Sequence, residues 1–381
     1  MNFPFKPVKT AVIGCGMISE IYFKNMVEVF NVLDVVGCAD LVPERAKAKA
    51  EKYGIRQMTN EEIYNDPEIE LVVNLTYPTS HYEVNKAALL AGKNVHCEKM
   101  FAITLDQAKE LRAIAEEKGL MLTAAPDTWL GGRLQTAARI VESGLIGELI
   151  SSEIVLDRCY RHSEWKQEDE KRFAFCPGGG FMNDLGGYYI TALVSMAGPI
   201  DKVTGFYRTY RPSRPFCHPK NPSYGKPMTY DNSPNCYAGA LQFASGMLCG
   251  VSMTTEVRGG GSYFNIHGTQ GTLYLDDPNN FGGPLMIQLA GSSEPKEIPL
   301  SHAYTENSRG LGVADAAYAL RNGRKPRCDT DLIFHVYEAC QGFEASCDSG
   351  KIYEMTSTCE KPAPFAPGHI NYPEMVMDNL E

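Results

Sequence analysis

The sequence lacks the patterns that would place the protein in a membrane or on a nucleic acid. None of its apolar runs approaches the roughly 20 residues that a membrane-spanning helix needs. Its formal net charge of -10 would repel phosphate backbones and anionic lipids. We therefore expect neither a nucleic acid nor a membrane as a partner.

We also expect neither a secretion signal nor a disulfide framework. The first residues, MNFPFKPVKTAVIG, do not place an apolar segment behind a charged one. The twelve cysteines form no CxxC pair and no compact Cys/His cluster, so we expect no metal site. Several of them, such as Cys15 and Cys249, lie inside apolar runs. These features predict reduced cysteines in a cytoplasmic protein.

What is present is an ordinary globular composition. The 381 residues are 44% hydrophobic and 22% charged, which is enough apolar mass for two domains. Over residues 1–126, short apolar runs such as VKTAVIG alternate regularly with helical patterns such as SEIYFKNMVEVF. This alternation predicts an α/β domain with a doubly wound parallel sheet, the Rossmann fold.

The pattern changes over residues 127–381, which are rich in predicted strands. The segment LQFASGMLCGVSM reads as a hairpin with Ser-Gly at its turn. Residues 211–235 contain six prolines and no periodicity, which is typical of a lid, an interface arm or a disordered segment. We predict a second, α+β domain built on a largely antiparallel open sheet, which binds substrate.

The segment VIGCGMIS follows the first predicted strand and opens a helix. Gly14 allows a tight turn, and Gly16 lets a pyrophosphate approach the backbone at the helix N-terminus, beside Met17 and Ile18. Serine occupies the third position of the usual GxGxxG pattern. The alternative is a glycine-rich turn that binds no ligand.

The choice of cofactor depends on the end of the second predicted strand. Asp40 stands there, where a carboxylate can accept hydrogen bonds from a ribose and repel a 2′-phosphate. Arg45 is close enough in sequence to accept that phosphate, but we interpret it as a surface charge. The sequence therefore predicts NAD, with NADP as the less favoured alternative.

Polar residues follow the next two strands, at the edge where ligands bind to parallel sheets. Thr76, Tyr77 and His81 are candidates for cofactor contacts, although His81 could instead cap a helix or lie on the surface. Glu98 and Lys99 lie at the end of the following strand. Burial and a positive nicotinamide ring could lower the pKa of Lys99 and let it handle a substrate proton. The alternative is an exposed ion pair.

The stretch GGGFMNDLGGYY carries a candidate site on a helix. Asp184 and Tyr188 are four residues apart and so share one helical face, whereas Tyr189 falls on an apolar face and is expected to pack. The carboxylate of Asp184 could also cap the helix. These residues predict a polar contact surface for a ligand.

Three further residues are candidates for holding a sugar. Trp129 and Trp165 are the two tryptophans of the sequence, and indole faces stack on sugar C–H surfaces. His162 could bond a sugar hydroxyl or assist a base. The alternatives are core packing for the tryptophans and an exposed loop position for the histidine.

Taken together, these motifs resemble the Gfo/Idh/MocA family, named for glucose–fructose oxidoreductase, inositol dehydrogenase and a rhizopine catabolism protein. The resemblance covers nearly the whole chain and depends above all on CEKM and GGGFMNDLGGYYITAL. It implies NAD(P)-dependent oxidation or reduction of sugars and cyclitols. It also implies a homo-oligomer formed through the open sheet of the C-terminal domain.

The sequence departs from the family pattern at two positions. The family's Glu-Lys-Pro motif maps onto Glu98 and Lys99, with Met100 in place of proline. A later motif of aspartate and histidine maps onto Asp184 and Tyr188, so the histidine is absent. The resemblance implies that Lys99 handles the proton. Tyr188 then either shares in the acid/base chemistry or only positions the sugar.

One branch of the family is most similar. The segments APDTWLGGRLQTAARIVESGLIGE and RHSEW resemble bacterial enzymes that oxidise the 3-hydroxyl of glucose in C- and O-glycosides such as puerarin. We expect oxidation of a sugar hydroxyl, at C3 of a glucoside, with Lys99, Asp184, Tyr188 and His162 as catalytic residues. The alternatives are an NAD-dependent glycosidase that oxidises C3 transiently, and a catalytically silent NAD-binding regulator.

Overall fold

A computed structural model describes the chain over residues 6–158, 178–216, 219–229, 233–257 and 260–365. No helix in these ranges is both long and apolar enough to cross a bilayer. Within the same ranges, no three His, Cys, Asp or Glu side chains are grouped so that they could hold a metal ion. The nine cysteines that fall there are free thiols.

The first half of the chain forms a parallel sheet of six strands. In chain order these are Val8–Ile13 (β1), Leu33–Ala39 (β2), Arg56–Gln57 (β3), Leu71–Asn74 (β4), Asn94–Cys97 (β5) and Leu122–Ala124 (β6). They lie in the order β3-β2-β1-β4-β5-β6, so the order reverses beside β1. Ligands of such sheets bind at that reversal, outside the carboxyl ends of the strands.

Five helices connect these strands: Ser19–Glu28 (α1), Pro43–Tyr53 (α2), Asn60–Asn65 (α3), Pro78–Leu90 (α4) and Leu105–Lys118 (α5). Helix α2 begins at proline and ends at Gly54, whose left-handed conformation closes the last turn. Helix α3 begins at a capping box formed by Thr59 and Glu62. At six and two residues, α3 and β3 are too short for a sequence period to reveal them.

The described residues from 127 onward contribute eleven strands. They are Leu149–Asp157 (β7), Ile200–Arg208 (β8), Ser213–Pro215 (β9), Pro227–Thr229 (β10), Cys236–Phe243 (β11), Leu248–Thr254 (β12), Ser262–Gly268 (β13), Gly271–Tyr274 (β14), Met286–Leu289 (β15), Lys296–Glu297 (β16) and Tyr353–Glu354 (β17). Nine of them form one sheet in the order β16-β15-β14-β13-β7-β12-β11-β8-β17. Only the β12–β7 pair is parallel.

These two sheets confirm the predicted fold class. The predicted hairpin is also present as β11 and β12, with Gly246 at a φ of 90° in its turn. The proline-rich segment 211–235 contains the short antiparallel ladder of β9 and β10. The domain boundary between residues 126 and 127 stays a prediction.

Helices cover one face of the second sheet and reach the first. They are Gly132–Glu142 (α6), Gly187–Ala197 (α7), Leu311–Asn322 (α8) and Thr330–Ser349 (α9), joined by a 3₁₀ turn at Thr128–Leu130 and a π-helical turn at Met182–Gly186. The ring of Phe343 on α9 packs over Gly205 of β8 so closely that no Cβ would fit there. Ile333 and Phe334 of the same helix belong to the apolar core of the first sheet, with Phe101. Helix α9 therefore packs against both sheets.

Gly14, immediately after β1, is required by the close approach of another loop. Its φ is 104°, and a Cβ added there would lie 2.5 Å from the carbonyl carbon of Leu75. At Gly16, by contrast, an added Cβ would meet no atom within 4 Å. Gly14 is therefore required by the fold itself, whereas at Gly16 the protein leaves room for a side chain or a ligand.

We expect Gly14→Ala to lower the free energy of unfolding by about 2 kcal/mol or more, because of both the positive φ and the clash. Gly16→Ala is the matched control and should change it by less than about 1 kcal/mol. Urea denaturation followed by circular dichroism measures both. Equal destabilisation by the two substitutions would contradict this interpretation of Gly14.

Candidate active site

The carboxyl edge of the first sheet has the shape that a dinucleotide needs. Above Gly16 there is open space, and the hydroxyl of Ser19 donates to the Gly16 carbonyl oxygen at 2.6 Å where helix α1 begins. Large apolar side chains around this edge are unusually exposed, with Leu41 91% and Met17 72% accessible. Ile18, Val42 and Tyr77 add to this exposed apolar rim. A bound planar cofactor would cover such a surface.

Asp40 holds the glycine turn against the end of β2. One carboxylate oxygen accepts the Cys15 amide at 2.7 Å, and the other accepts the Val42 amide at 2.8 Å. Each oxygen keeps a lone pair with which it could accept a ribose hydroxyl. Arg45 is exposed on helix α2. These residues fit the ribose of NAD.

His81 lies in the interior rather than on the surface of the crevice. It is completely buried, and its ring nitrogens contact the carbonyl oxygens of Met100 at 2.8 Å and of Thr76 at 3.0 Å. Burial lowers the pKa of His81, and the two carbonyl oxygens oppose this effect. The histidine therefore ties together the loops that follow β4 and β5, and Thr76 is one of its two anchors.

Lys99, just beyond β5, forms an ion pair with Asp184 in the π-helical turn. Its Nζ lies 2.8 Å from both Oδ1 and the carbonyl oxygen of Asp184. Burial by itself would lower the pKa of Lys99, but the charges of Asp184 and Glu98 outweigh burial and raise it. The protein groups thus do not produce the lowered pKa that we expected for Lys99, because they surround its ammonium group with hydrogen-bond acceptors.

Glu98 is held in place from two sides. One of its oxygens accepts the hydroxyl of Tyr22 at 2.7 Å, and the other accepts the backbone amide of Lys99 at 3.1 Å. Tyr22 is completely buried and Glu98 is only 9% exposed. The carboxylate therefore adds a fixed negative charge beneath the Lys99–Asp184 pair.

The two tyrosines of the glycine-rich stretch point to different surroundings. The ring centroid of Tyr188 lies 5.4 Å from Nζ of Lys99. Tyr189 instead packs edge-to-face on Phe264 at a centroid distance of 5.4 Å. Burial raises the pKa of Tyr188, against the opposing effect of Lys99. Its phenol is neutral at pH 7 and suits positioning better than proton abstraction.

Asp184 does not cap a helix. It lies within the π-helical turn Met182–Gly186, which leads directly into α7, and the turn has no side-chain cap. Turns of this kind often occur at functional sites. The turn brings the carboxylate of Asp184 and the ring of Tyr188 to the same lysine.

Of the three residues predicted to hold a sugar, the structure describes only Trp129. Trp129 is only 2% exposed and packs in the main apolar core, because helices α6, α7 and α8 pack against its 3₁₀ turn. The structure therefore corrects the idea of an exposed stacking surface and favours packing. His162 and Trp165 lie outside the described residues.

Two residues of the site escaped sequence reasoning. Asp127 follows β6, and its Oδ2 accepts the backbone amides of Gly310 at 2.9 Å and Gly312 at 3.1 Å at the start of helix α8. An acid just after a parallel strand is the signal that identified Glu98, and it could have identified Asp127 too. Arg309 precedes α8 and has no such signal.

Arg309 provides the positive charge that these acids face. Burial lowers its pKa, but interactions with Tyr188, Asp127, Tyr22 and Glu98 outweigh burial and raise it. The guanidinium therefore stays charged between the start of α8 and the Lys99 pair. It is an element of the site that only the fold brings there.

The sheet order, the glycine turn and the strand-end acid Asp40 are the arrangement of a dinucleotide-binding domain. Residues 8–125 match the family described as Oxidoreductase family, NAD-binding Rossmann fold, and residues 134–274 match the Gfo/Idh/MocA C-terminal domain. The chain belongs to the Gfo/Idh/MocA family, and its first sheet is an NAD-binding domain. The predictions of this family and of NAD are confirmed.

Individual relatives are more distant. An uncharacterized oxidoreductase of Schizosaccharomyces pombe is 34% identical over 211 residues, 54% of this chain and 56% of that protein. Levoglucosan dehydrogenase of Pseudarthrobacter phenanthrenivorans is 24% identical over 62% of this chain and 64% of the enzyme. The chain thus matches less than two thirds of either protein. A structure of levoglucosan dehydrogenase without ligand has a TM-score of 0.80 over 93% of this chain and 100% of that one, at 18% identity, which shows a common fold.

The buried carboxyl of Asp127 should make stability depend on pH. Burial raises its pKa from 3.8 to about 6, opposed by the Gly312 amide and Arg309. The folded state therefore binds the Asp127 proton more tightly than the unfolded state does. The contribution of this proton to the free energy of unfolding is full below pH 3.8 and is lost as the pH rises through about 6. Asp127→Asn keeps an acceptor oxygen and removes the titration. Relative to the variant, the wild type should lose up to about 3 kcal/mol of unfolding free energy between pH 4 and pH 7.

Urea denaturation at several pH values measures this difference. Asp106→Asn, at an exposed position on α5, is the control and should keep the pH dependence of the wild type. Parallel stability curves for the wild type and Asp127→Asn would show that Asp127 does not titrate in this range.

Proposed function

We propose that the protein oxidises a hydroxyl of a sugar, at C3 of a glucoside, with NAD as the hydride acceptor. The observation that carries this proposal is the ion pair of Lys99 and Asp184, with 2.8 Å between Nζ and Oδ1, at the ligand edge of an NAD-binding sheet. A protein that only senses NAD has no need of such a pair. The sugar is supported by levoglucosan dehydrogenase among the relatives. Oxidation at C3 is supported by the resemblance of residues 125–148 and 161–165 to bacterial enzymes that oxidise the 3-hydroxyl of glucosides.

The chemistry follows from the protonation states of the site. When bound, NAD⁺ supplies the carbon that accepts the hydride. Lys99 is cationic, so it would donate a hydrogen bond to the substrate oxygen and stabilise negative charge as that oxygen loses its proton. For Lys99 to take up this proton, it must pass one of its own to Asp184, which already accepts from Nζ. Tyr188 would orient the sugar through its neutral phenol.

The glycosidase alternative needs a further base for the proton on C2. Tyr188 is a poor candidate because its pKa is raised, and His162 lies outside the described residues. An assay separates the three functions. The protein is incubated with NAD and a panel of glucosides, and NADH and free aglycone are followed. Accumulating NADH with a 3-keto product supports the dehydrogenase, aglycone without net NADH supports the glycosidase, and neither signal despite bound NAD supports a silent regulator.

We expect Lys99→Ala to lower kcat by about 10³-fold, because both charge stabilisation and proton transfer are lost. NAD affinity, measured by fluorescence titration, should change by no more than a few-fold. Lys118→Ala, at an exposed position on α5, is the matched control and should behave as the wild type. Retention of activity by Lys99→Ala would show that another residue handles the proton.

We further propose a homo-oligomer that forms through the open face of the nine-stranded sheet. One row across five strands of this face is formed by Phe206, Ala238, Ser252, Val155 and Tyr263. Phe206 is 75% exposed and Tyr263 45%, while small side chains keep the centre of the row flat. A flat apolar face of this kind suits a second copy of itself. The free thiols are consistent with the proposed cytoplasmic location.

Phe206→Glu should therefore convert an oligomer into a monomer, because a buried carboxylate would have no partner in the interface. Light scattering after size-exclusion chromatography measures the mass. Leu90→Glu, at an exposed apolar position on helix α4, is the control and should keep the wild-type mass. A monomeric wild type, or an oligomer that survives Phe206→Glu, would refute an interface on this face.

A further inference from the structure

A polar pocket of about 370 Å³ is lined in part by Arg309, which also interacts with Tyr188 and Glu98 beside Lys99. Its volume is in the range of small-molecule sites. The side chains that matter for its chemistry are Arg133, Asp276, Asn279, Glu306, Asn307 and Arg309. We propose that this pocket binds a second sugar ring, so that the glucoside to be oxidised is part of a disaccharide or longer glycan. This inference builds on the proposed function.

Arg309 connects the pocket to the catalytic cluster. Its two terminal nitrogens donate to Oδ1 of Asn279 and to Oδ1 of Asn307, both at 2.7 Å. Its charge also interacts with Tyr188 and Glu98, which adjoin Lys99. A substrate whose first ring lies beside Tyr188 would therefore have its next group directed at the pocket.

The guanidinium of Arg309 fixes the orientation of the side-chain amides of Asn279 and Asn307. Because an arginine can only donate, the oxygens of Asn279 and Asn307 must face Arg309. Their NH₂ groups then remain as donors, and no acceptor for them is present among the residues that the structure describes. The pocket wall thus presents a pair of outward donors in fixed positions.

Arg133 adds a buried positive charge to the wall. It is only 1% exposed, and within the described part of the chain its Nε has no hydrogen-bond partner. Its other nitrogens are engaged, with Nη2 donating to the Asn280 carbonyl oxygen at 3.3 Å and Nη1 lying 3.7 Å from Asp276. This nitrogen has almost no accessible surface, so Arg133 contributes positive charge to the pocket wall rather than a free donor.

The rim supplies acceptors and balances the charge. Asp276 is 54% exposed and Glu306 is also exposed, so two carboxylates oppose the two guanidiniums. An anionic ligand would meet these carboxylates, and an aromatic aglycone would leave the amide donors without acceptors. Phe281 offers no stacking face, because it is 2% exposed and lies beneath Arg309. A neutral ring whose hydroxyls both donate and accept matches the wall.

The test compares the kcat/KM of NAD reduction for methyl glucoside, phenyl glucoside and a set of glucosyl-glucose disaccharides of different linkage. We expect the best disaccharide to exceed methyl glucoside by about tenfold or more, which corresponds to one or two added hydrogen bonds. Phenyl glucoside should gain nothing over methyl glucoside. A preference for phenyl glucoside, or equal values for all substrates, would overturn the inference.

A substitution in the pocket tests whether the preference for disaccharides arises there. Asn280 also lines the pocket, and its exposed amide can both donate to and accept from a ligand hydroxyl, so Asn280→Leu should lower the ratio of disaccharide to methyl glucoside kcat/KM by about tenfold. Asn65→Leu, at an exposed position on α3, is the matched control and should keep the ratio. Thermal unfolding verifies that both variants fold. An unchanged ratio in Asn280→Leu would overturn the inference.

If no glucoside is oxidised at all, the proposed function fails. Calorimetric titration of the NAD-loaded protein with the same disaccharides then tests separately whether the pocket binds a second sugar ring. Binding that is weakened by Asn280→Leu and kept by Asn65→Leu supports the second-ring site. Absence of binding, or binding that both variants share with the wild type, overturns it.

Discussion

The contact between Lys99 and Asp184 joins the two sheets of this protein at their common edge. The lysine follows the fifth strand of the NAD-binding sheet, and the aspartate lies 85 positions later in the π-helical turn of the second half. Both side chains are largely removed from water, so either charge alone would be strongly unfavourable. The position of each half of the chain therefore depends on the other at the point where the reaction would take place.

Around this pair the site forms a network of alternating charges. Glu98 lies beneath the lysine and is held by the hydroxyl of Tyr22. Arg309 faces these acids and also Asp127, whose carboxylate holds the start of helix α8. Because each member has its charge partly offset by the next, the network can remain buried without one dominant desolvation penalty. It also keeps Lys99 protonated and Tyr188 neutral, and these protonation states restrict the roles that each can have in catalysis.

Sequence reasoning identified residues that stand at a recognisable place in a regular element. Asp40, Glu98 and Lys99 each follow a parallel strand, and such strand ends meet at one edge of the sheet. Helical spacing likewise separated Tyr188 from Tyr189, since one helix face meets Lys99 and the other meets the core. These inferences needed only the period of a strand or a helix and the direction of the chain.

The alternation of strands and helices, the glycine turn and the strand-end positions of Asp40, Glu98 and Lys99 were thus determined by the sequence alone, because they depend on local periodicity. Three other features were decided by the tertiary structure. Trp129 is buried because distant helices close over it, and His81 is buried because two loops meet at its ring. Arg309 reaches the site only because helix α8 packs beside the first sheet. Even the protonation of Lys99 depends on Asp184, a partner that no local pattern could name, since charge and burial are properties of neighbours in space.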